Sequence, residues 1–145
     1  MKESKDKYKT IWIHNNNLMM VPLYVKKSFE RANIGFYFHS PFPSSECFRK
    51  LKQSNDIMKS LLHCDLIAFH IYLYADNFCK TCHRMCGFEL EFIRGGYFAV
   101  NFHGKHIMIR IAHIGIEYSF IEEIIKSNTF EIHRNKFKNA MAKIY

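Results

Sequence analysis

No apolar run in this 145-residue sequence approaches the ~20 residues that a membrane-spanning helix needs, so a bilayer span is excluded from the reading. The N-terminus, MKESKDKYKT, lacks the apolar segment of a secretory signal, which makes the cytoplasm the expected compartment. Cysteines are few and odd in number, five, so they read as thiols and not as a disulfide framework. There is no internal repeat, low-complexity tract or interdomain linker. Acidic residues are outnumbered, 13 against 21 lysines and arginines, for a net charge of +8. Much of that charge lies near the ends, at Lys2, Lys5, Lys7 and Lys9, then at Lys126, Arg134, Lys136, Lys138 and Lys143. It reads either as solvated termini or as attraction for anionic ligands. No nucleic-acid-binding motif accompanies it. What the chain does have is 48% hydrophobic and 16% aromatic residues, enough for a folded core.

The most informative stretch is Ile34 to Arg49, IGFYFHSPFPSSECFR. Ile34–His39 is apolar and β-rich, as a buried strand should be. Pro41 and Pro43 then remove two backbone donors and end it. Ser44 or Ser45 can cap a new helix, with Glu46 in the first turn. Strand, rigid turn and capped helix place His39 at the carboxyl end of a strand, near helix N–H groups.

Elsewhere the spacing predicts a strand over Tyr8–His14, a polar turn at Asn15-Asn16-Asn17, and a helix over Leu18–Ala32. Short helices are expected over Ser44–Leu51 and Asp56–His63, then a strand over Asp65–His70 and a helix over Ile71–Cys86. Tyr97–Phe102 and His106–Ala112 read as a hairpin turning at His103-Gly104-Lys105. Helices are expected over Tyr118–Lys126 and Glu131–Lys143. Alternating strands and helices predict an α/β fold, a Rossmann-like parallel sheet flanked by helices plus a β-hairpin.

Three predicted strands end in histidine: His14, His39 and His70. In a parallel sheet the carboxyl ends line one edge, where ligands bind. Three readings stay open: a three-histidine zinc site, imidazoles bonded to loop backbone, or recognition of sugar hydroxyls. Cys79-Lys80-Thr81-Cys82-His83 matches the haem-attachment pattern C-x-x-C-H, and Cys86 adds a further thiol. Inside a helix, on its apolar side, these cysteines read as packing residues. Ser44, Ser45 and Glu46 read as a helix cap, not as a nucleophile and base. Glu122 and Glu123 read as solvated acids, and Arg94-Gly95-Gly96 as the turn before the hairpin.

The run HSPFPSSE, Ser40 to Glu46 with His39 before it, resembles the signature of trehalose-6-phosphate synthases, glycosyltransferases of the two-domain GT-B type. Ile11–Pro22 (IWIHNNNLMMVP), Leu61–His70 (LLHCDLIAFH), Tyr74–Gly87 and the segment ending His113-Ile114-Gly115-Ile116-Glu117 follow the same family in order. The resemblance covers Ile11 to Ile125 and implies part of the N-terminal half of a GT-B fold. It implies retaining glucosyl transfer from UDP-glucose to glucose-6-phosphate, in trehalose biosynthesis, with no metal and no cofactor. It assigns His39 a contact with the donor sugar. Asn15 stands where the family has an acceptor-side aspartate, and Asn16 and Asn17 replace a tyrosine and a second histidine. His14 and His70 complete the implied substrate edge. No residue of this chain is assigned a catalytic role.

The resemblance places the diphosphate-binding arginine and lysine in a second domain outside these 145 residues. The expectation is thus one partial Rossmann-like domain over 1–145, with 1–9 and 128–145 peripheral, inactive as this chain alone. Another synthase subunit is a candidate partner. Nucleic acid and membrane are not. The alternative is a non-catalytic regulatory or sugar-phosphate-binding module of a trehalose synthase complex, favoured by Asn15-Asn16-Asn17. A third reading is an incomplete gene product with no independent role.

Overall fold

Alternating large apolar residues fix the layers of the protein. The structure is a computed structural model that describes residues 10–93 and 97–142. Lys2, Lys5, Lys7, Tyr8, Lys9, Lys143 and the Arg94-Gly95-Gly96 turn lie outside the described residues. The described residues form two compact units, one running up to His113 and one starting at Ile114.

In chain order the first unit has strand β1 (Thr10–His14), a 3-10 turn (Asn16–Leu18), helix α1 (Val21–Ser28) and strand β2 (Asn33–Phe38). Helices α2 (Ser45–Phe48) and α3 (Ser54–Leu61), strand β3 (Leu66–Phe69) and helix α4 (Tyr72–Cys86) follow. Strands β4 (Leu90–Ile93), β5 (Tyr97–Phe102) and β6 (Lys105–Ile111) complete it. The strands form one six-stranded sheet in the order β1-β2-β3-β6-β5-β4. β1, β2, β3 and β6 run parallel, and β5 and β4 add on antiparallel.

Strand period two sends Ile34, Phe36 and Phe38 of β2 to one face, beside Ile13 of β1, Ile67 and Phe69 of β3 and Ile109 of β6. Helices cover that face with Phe48, Met58, Leu61, Ala75, Phe78 and Cys82, all buried in the same cluster. Phe38 and Phe69 stack with centroids 5.1 Å apart, and Phe42 meets Phe78 edge to face at 5.3 Å. Each such ring stabilises the fold by roughly 1.5–3 kcal/mol through burial. Phe42 belongs to the proline turn, so the core pins the loop that follows β2. Asn77 of α4 pins it again, donating from Nδ2 to the Phe42 carbonyl at 3.0 Å.

The other end of the sheet is tied by charge. The Asp65 carboxylate accepts from the Ile34 N–H at 2.7 Å and from Lys105 Nζ at 2.9 Å, with Lys26 Nζ at 3.4 Å. Burial alone pushes this carboxyl up. The Lys105 hydrogen bond, the Ile34 N–H and the two lysine charges together bring it below its ordinary value.

Several boundaries differ from the sequence reading. The helix expected over Leu18–Ala32 is only Val21–Ser28, because the 3-10 turn takes its start and Phe29 leaves helical geometry at φ −140°. Helix α3 starts two residues early, at Ser54. Strand β4 has no counterpart in the reading. It is four residues long and pairs only with β5. The hairpin stands as expected: His103 and Gly104 both adopt positive φ, 50° and 83°, and the Gly104 N–H donates to Asn101 Oδ1 at 3.0 Å. Ser44 is the cap of α2, while Ser45 is buried with its hydroxyl accepting from Arg84.

The cysteines of α4 behave as small apolar groups. Cys79 and Cys82 are buried in the core cluster, and the Cys82 thiol donates to Met58 Sδ at 3.6 Å. Burial pushes the Cys79 thiol up to about 12. His83 bonds the Phe88 carbonyl at 3.3 Å.

The second unit contains helix α5 (Tyr118–Lys126) and helix α6 (Asn128–Met141). α5 has the expected bounds. α6 starts three residues early, because the Ser127 hydroxyl accepts from the Phe130 N–H at 3.2 Å and caps it there. No helix among the described residues is long and apolar enough to cross a membrane.

Candidate functional site

The parallel strands end on one edge, and their last side chains meet there. His14 is the final residue of β1, His39 follows β2, and His70 follows β3. His14 Nδ1 and His39 Nε2 are 2.9 Å apart, and the two rings stack with centroids at 5.1 Å. The His39 and His70 rings meet edge to face at 5.7 Å. The edge therefore brings together all three histidines singled out in the sequence.

Tyr37 organises them. Its register partner on β1 is His14, and the extended backbone aligns it with His39 just past the end of β2. Its ring centroid lies 4.8 Å from His39 and 5.0 Å from His70. Its hydroxyl contacts the Ala112 carbonyl at 2.6 Å and His70 Nδ1 at 2.8 Å. A carbonyl only accepts, so the one phenolic hydrogen goes to Ala112. Burial pushes this phenol up, which keeps that hydrogen in place at neutral pH. His70 Nδ1 must then be the donor to the phenolic oxygen, which assigns its tautomer and leaves Nε2 as an acceptor.

The same bookkeeping applies to the His14–His39 pair. One ring donates across the 2.9 Å contact and the other accepts. Whichever way the shared proton lies, the neutral pair is left with one donor and one acceptor, at His14 Nε2 and His39 Nδ1. With His70 Nε2, the neutral form of the edge offers one donor and two acceptors. Hydroxyl groups both donate and accept, and match such a set.

Asn15 follows His14 with φ 77° and ψ 153°, backbone territory that costs a non-glycine residue about 1–3 kcal/mol. Its N–H donates to the Tyr37 carbonyl at 3.1 Å, and its Oδ1 accepts from the Asn16 N–H at 3.0 Å. The strained residue is thus fixed by β2 on one side and caps the 3-10 turn on the other. Its Nδ2 has no acceptor among the described residues.

His14 and His39 bond each other and His70 bonds Tyr37, and none of the three imidazoles bonds loop backbone among the described residues. Nor are any three His, Cys, Asp or Glu side chains among the described residues arranged so that they could hold a metal ion. Tyr37 was not singled out in the sequence, where it reads as one more core residue in an apolar run. The available signal was the alternation Gly35, Tyr37, His39.

Gly35 shapes the same face. A Cβ there would lie 1.9 Å from two atoms of the Trp12 indole, so glycine lets that ring lie against β2. Trp12 in turn meets His14 edge to face at 6.0 Å and stays half exposed.

A family model described as glycosyltransferase family 20 matches residues 1–144. A protein named probable alpha,alpha-trehalose-phosphate synthase 9 (UDP-forming), from Arabidopsis thaliana, is 40% identical over 115 residues, 79% of this chain and 13% of the relative. An Aspergillus niger protein named alpha,alpha-trehalose-phosphate synthase 1 (UDP-forming) is 39% identical over 120 residues, 80% of this chain and 22% of the relative. Among solved structures, the N-terminal domain of Candida albicans trehalose-6-phosphate phosphatase superposes with TM-score 0.72 at 32% identity, covering 87% of this chain and 26% of that one. A structure described as trehalose-6-phosphate from E. coli bound with UDP-2-fluoro glucose superposes with TM-score 0.73 at 22% identity, covering 90% and 29%, a likeness of fold alone. The chain thus spans about an eighth of the length of the Arabidopsis relative.

Proposed function

The chain belongs to glycosyltransferase family 20, and on that premise we propose that it forms the sugar-binding edge of a UDP-forming trehalose-phosphate synthase. The reaction is retaining glucosyl transfer from UDP-glucose to glucose-6-phosphate. The observation that carries the proposal is the convergence of His14, His39 and His70 at the carboxyl edge of the parallel sheet. Their neutral donor and acceptor set suits hydroxyls. His39 holds the donor glucose, and His14, Asn15 and His70 line the remainder of the sugar edge. Positioning of the two sugars supplies most of what this segment contributes to the rate. Stabilising the leaving diphosphate needs cations aimed at it, and those belong to a second domain. Residues 1–145 are accordingly part of one Rossmann-like domain, and the reaction proceeds in the cytoplasm. The synthase names of the relatives favour glucosyl transfer over a non-catalytic binding module.

A coupled assay of UDP release tests this. The 145-residue chain alone should release no UDP from UDP-glucose and glucose-6-phosphate. Grafted in place of the matching segment of a family-20 synthase, it should support release. In that graft Asn15→Asp should raise the rate, because a charge-assisted bond to a hydroxyl is roughly twice as strong as a neutral one. Substantial release by the isolated chain, or an inactive graft, refutes the proposal.

A further inference from the structure

A second polar pocket lies in the helical layer, away from the histidine edge. It holds about 350 Å³ and is lined by Arg49, Ser54, Asn55, Arg84 and Met85. It shares no residue with the histidine cluster.

Three features make its lining electropositive and rich in unused donors. First, Arg84 spends only one nitrogen on protein. Its Nη1 bonds the Ser45 hydroxyl at 2.6 Å and pairs with Glu46. Its Nη2 and Nε, and the whole guanidinium of Arg49, meet no acceptor among the described residues. Second, helix α3 begins here without a side-chain cap. Its N-cap is Gln53, which makes no capping bond. The Ser54 N–H goes to Leu51 and the Ile57 N–H to Gln53, while the N–H groups of Asn55 and Asp56 have no acceptor among the described residues. Third, Ser54 is only 7% exposed, yet its hydroxyl has no hydrogen-bond partner among the described residues and the residue lines the pocket. Its hydroxyl oxygen still reaches solvent, so it is open to a ligand in the pocket.

We infer that this pocket is an oxyanion site that takes the phosphoryl group of a small phosphorylated molecule. Tetrahedral phosphate oxygens accept from guanidinium forks, helix N-terminal amides and hydroxyls alike. Two carboxylates lie nearby, Glu46, which is paired with Arg84, and Asp56 in the first turn of α3. A backbone hydrogen bond and Arg84 hold the Glu46 carboxyl below the ordinary range. The inference does not depend on the glucosyl-transfer reading, since it uses none of the residues of that edge.

The test is amide NMR of the full 145-residue chain titrated with inorganic phosphate at constant ionic strength, with chloride as the balancing anion. Saturable shifts at Ser54, Asn55 and Asp56 are expected. Arg49→Gln should weaken binding about tenfold by removing a charge-assisted contact. Arg49 makes no side-chain bond among the described residues, so its variant keeps the fold, and Arg84→Gln serves as the second variant. His39→Ala should leave phosphate affinity unchanged. Glucose-6-phosphate and glucose are run alongside. Tighter binding of glucose-6-phosphate identifies a sugar phosphate as the ligand, and equal binding identifies the phosphoryl group alone; both support the site. Absence of saturable shifts up to about 10 mM phosphate, affinity unaltered by Arg49→Gln, or affinity lost in His39→Ala overturns it.

Discussion

Replacing Tyr37 by phenylalanine removes one oxygen and should unsettle the whole histidine edge. The hydroxyl is buried and makes two bonds, to the Ala112 carbonyl at 2.6 Å and to His70 Nδ1 at 2.8 Å. The ring is retained, so packing against His39 and His14 survives. Each bond is worth about 0.5–1.5 kcal/mol net, and the orphaned carbonyl adds to the cost. The expected loss is therefore about 2 kcal/mol. For an urea slope of roughly 2 kcal/mol per molar, the unfolding midpoint falls by about 1 M. The second readout is the His70 tautomer, followed by ring-nitrogen NMR. In the native protein the Nδ1–H form is held by Tyr37, and in the variant the proton is free to move to Nε2. An unchanged midpoint together with an unchanged tautomer refutes the assigned donor order.

Two further outcomes follow from the structure. Gly35→Ala should push the Trp12 indole off β2, because the new Cβ would lie 1.9 Å from two of its carbons; overpacking of this kind costs about 1–3 kcal/mol, and the emission of the single tryptophan should shift to the red. Unaltered emission and stability contradict the close approach. Asp65 is more acidic folded than unfolded, so its contribution is present above the unfolded value and disappears as pH falls through the folded one. Stability measured from about pH 5 downward should decline less steeply in Asp65→Asn than in the parent, and parallel curves remove Asp65 from the account.

The sheet was legible because its signals are local. Runs such as Ile34–Phe38 and Leu66–Phe69 are apolar over strand length and end at a proline turn or a polar residue. Ordering those strands puts His14, His39 and His70 on one edge. What the sequence concealed is non-local. The hydroxyl of Tyr37 finds Ala112, 75 residues on, and no pattern in the strand announces that. β4 was missed because Leu90–Ile93 is short, partly exposed, and exists only through its pairing with β5. The start of α1 was misplaced because Asn15 adopts a backbone conformation that asparagine seldom takes, and the turn it caps displaces the first helical turn. The phosphate pocket was illegible for a related reason. Arg49 and Arg84 lie 35 positions apart in the sequence and are joined only by the packing of α2 against α4.

The central claim is that His39 holds the donor sugar. Its most direct test is steady-state UDP release by a family-20 synthase carrying this segment, with and without His39→Ala. Circular dichroism confirms that both are folded. A positioned hydrogen bond to the reacting sugar predicts a fall of about a hundredfold in kcat/KM for UDP-glucose. Equal kcat/KM in the two proteins contradicts the account.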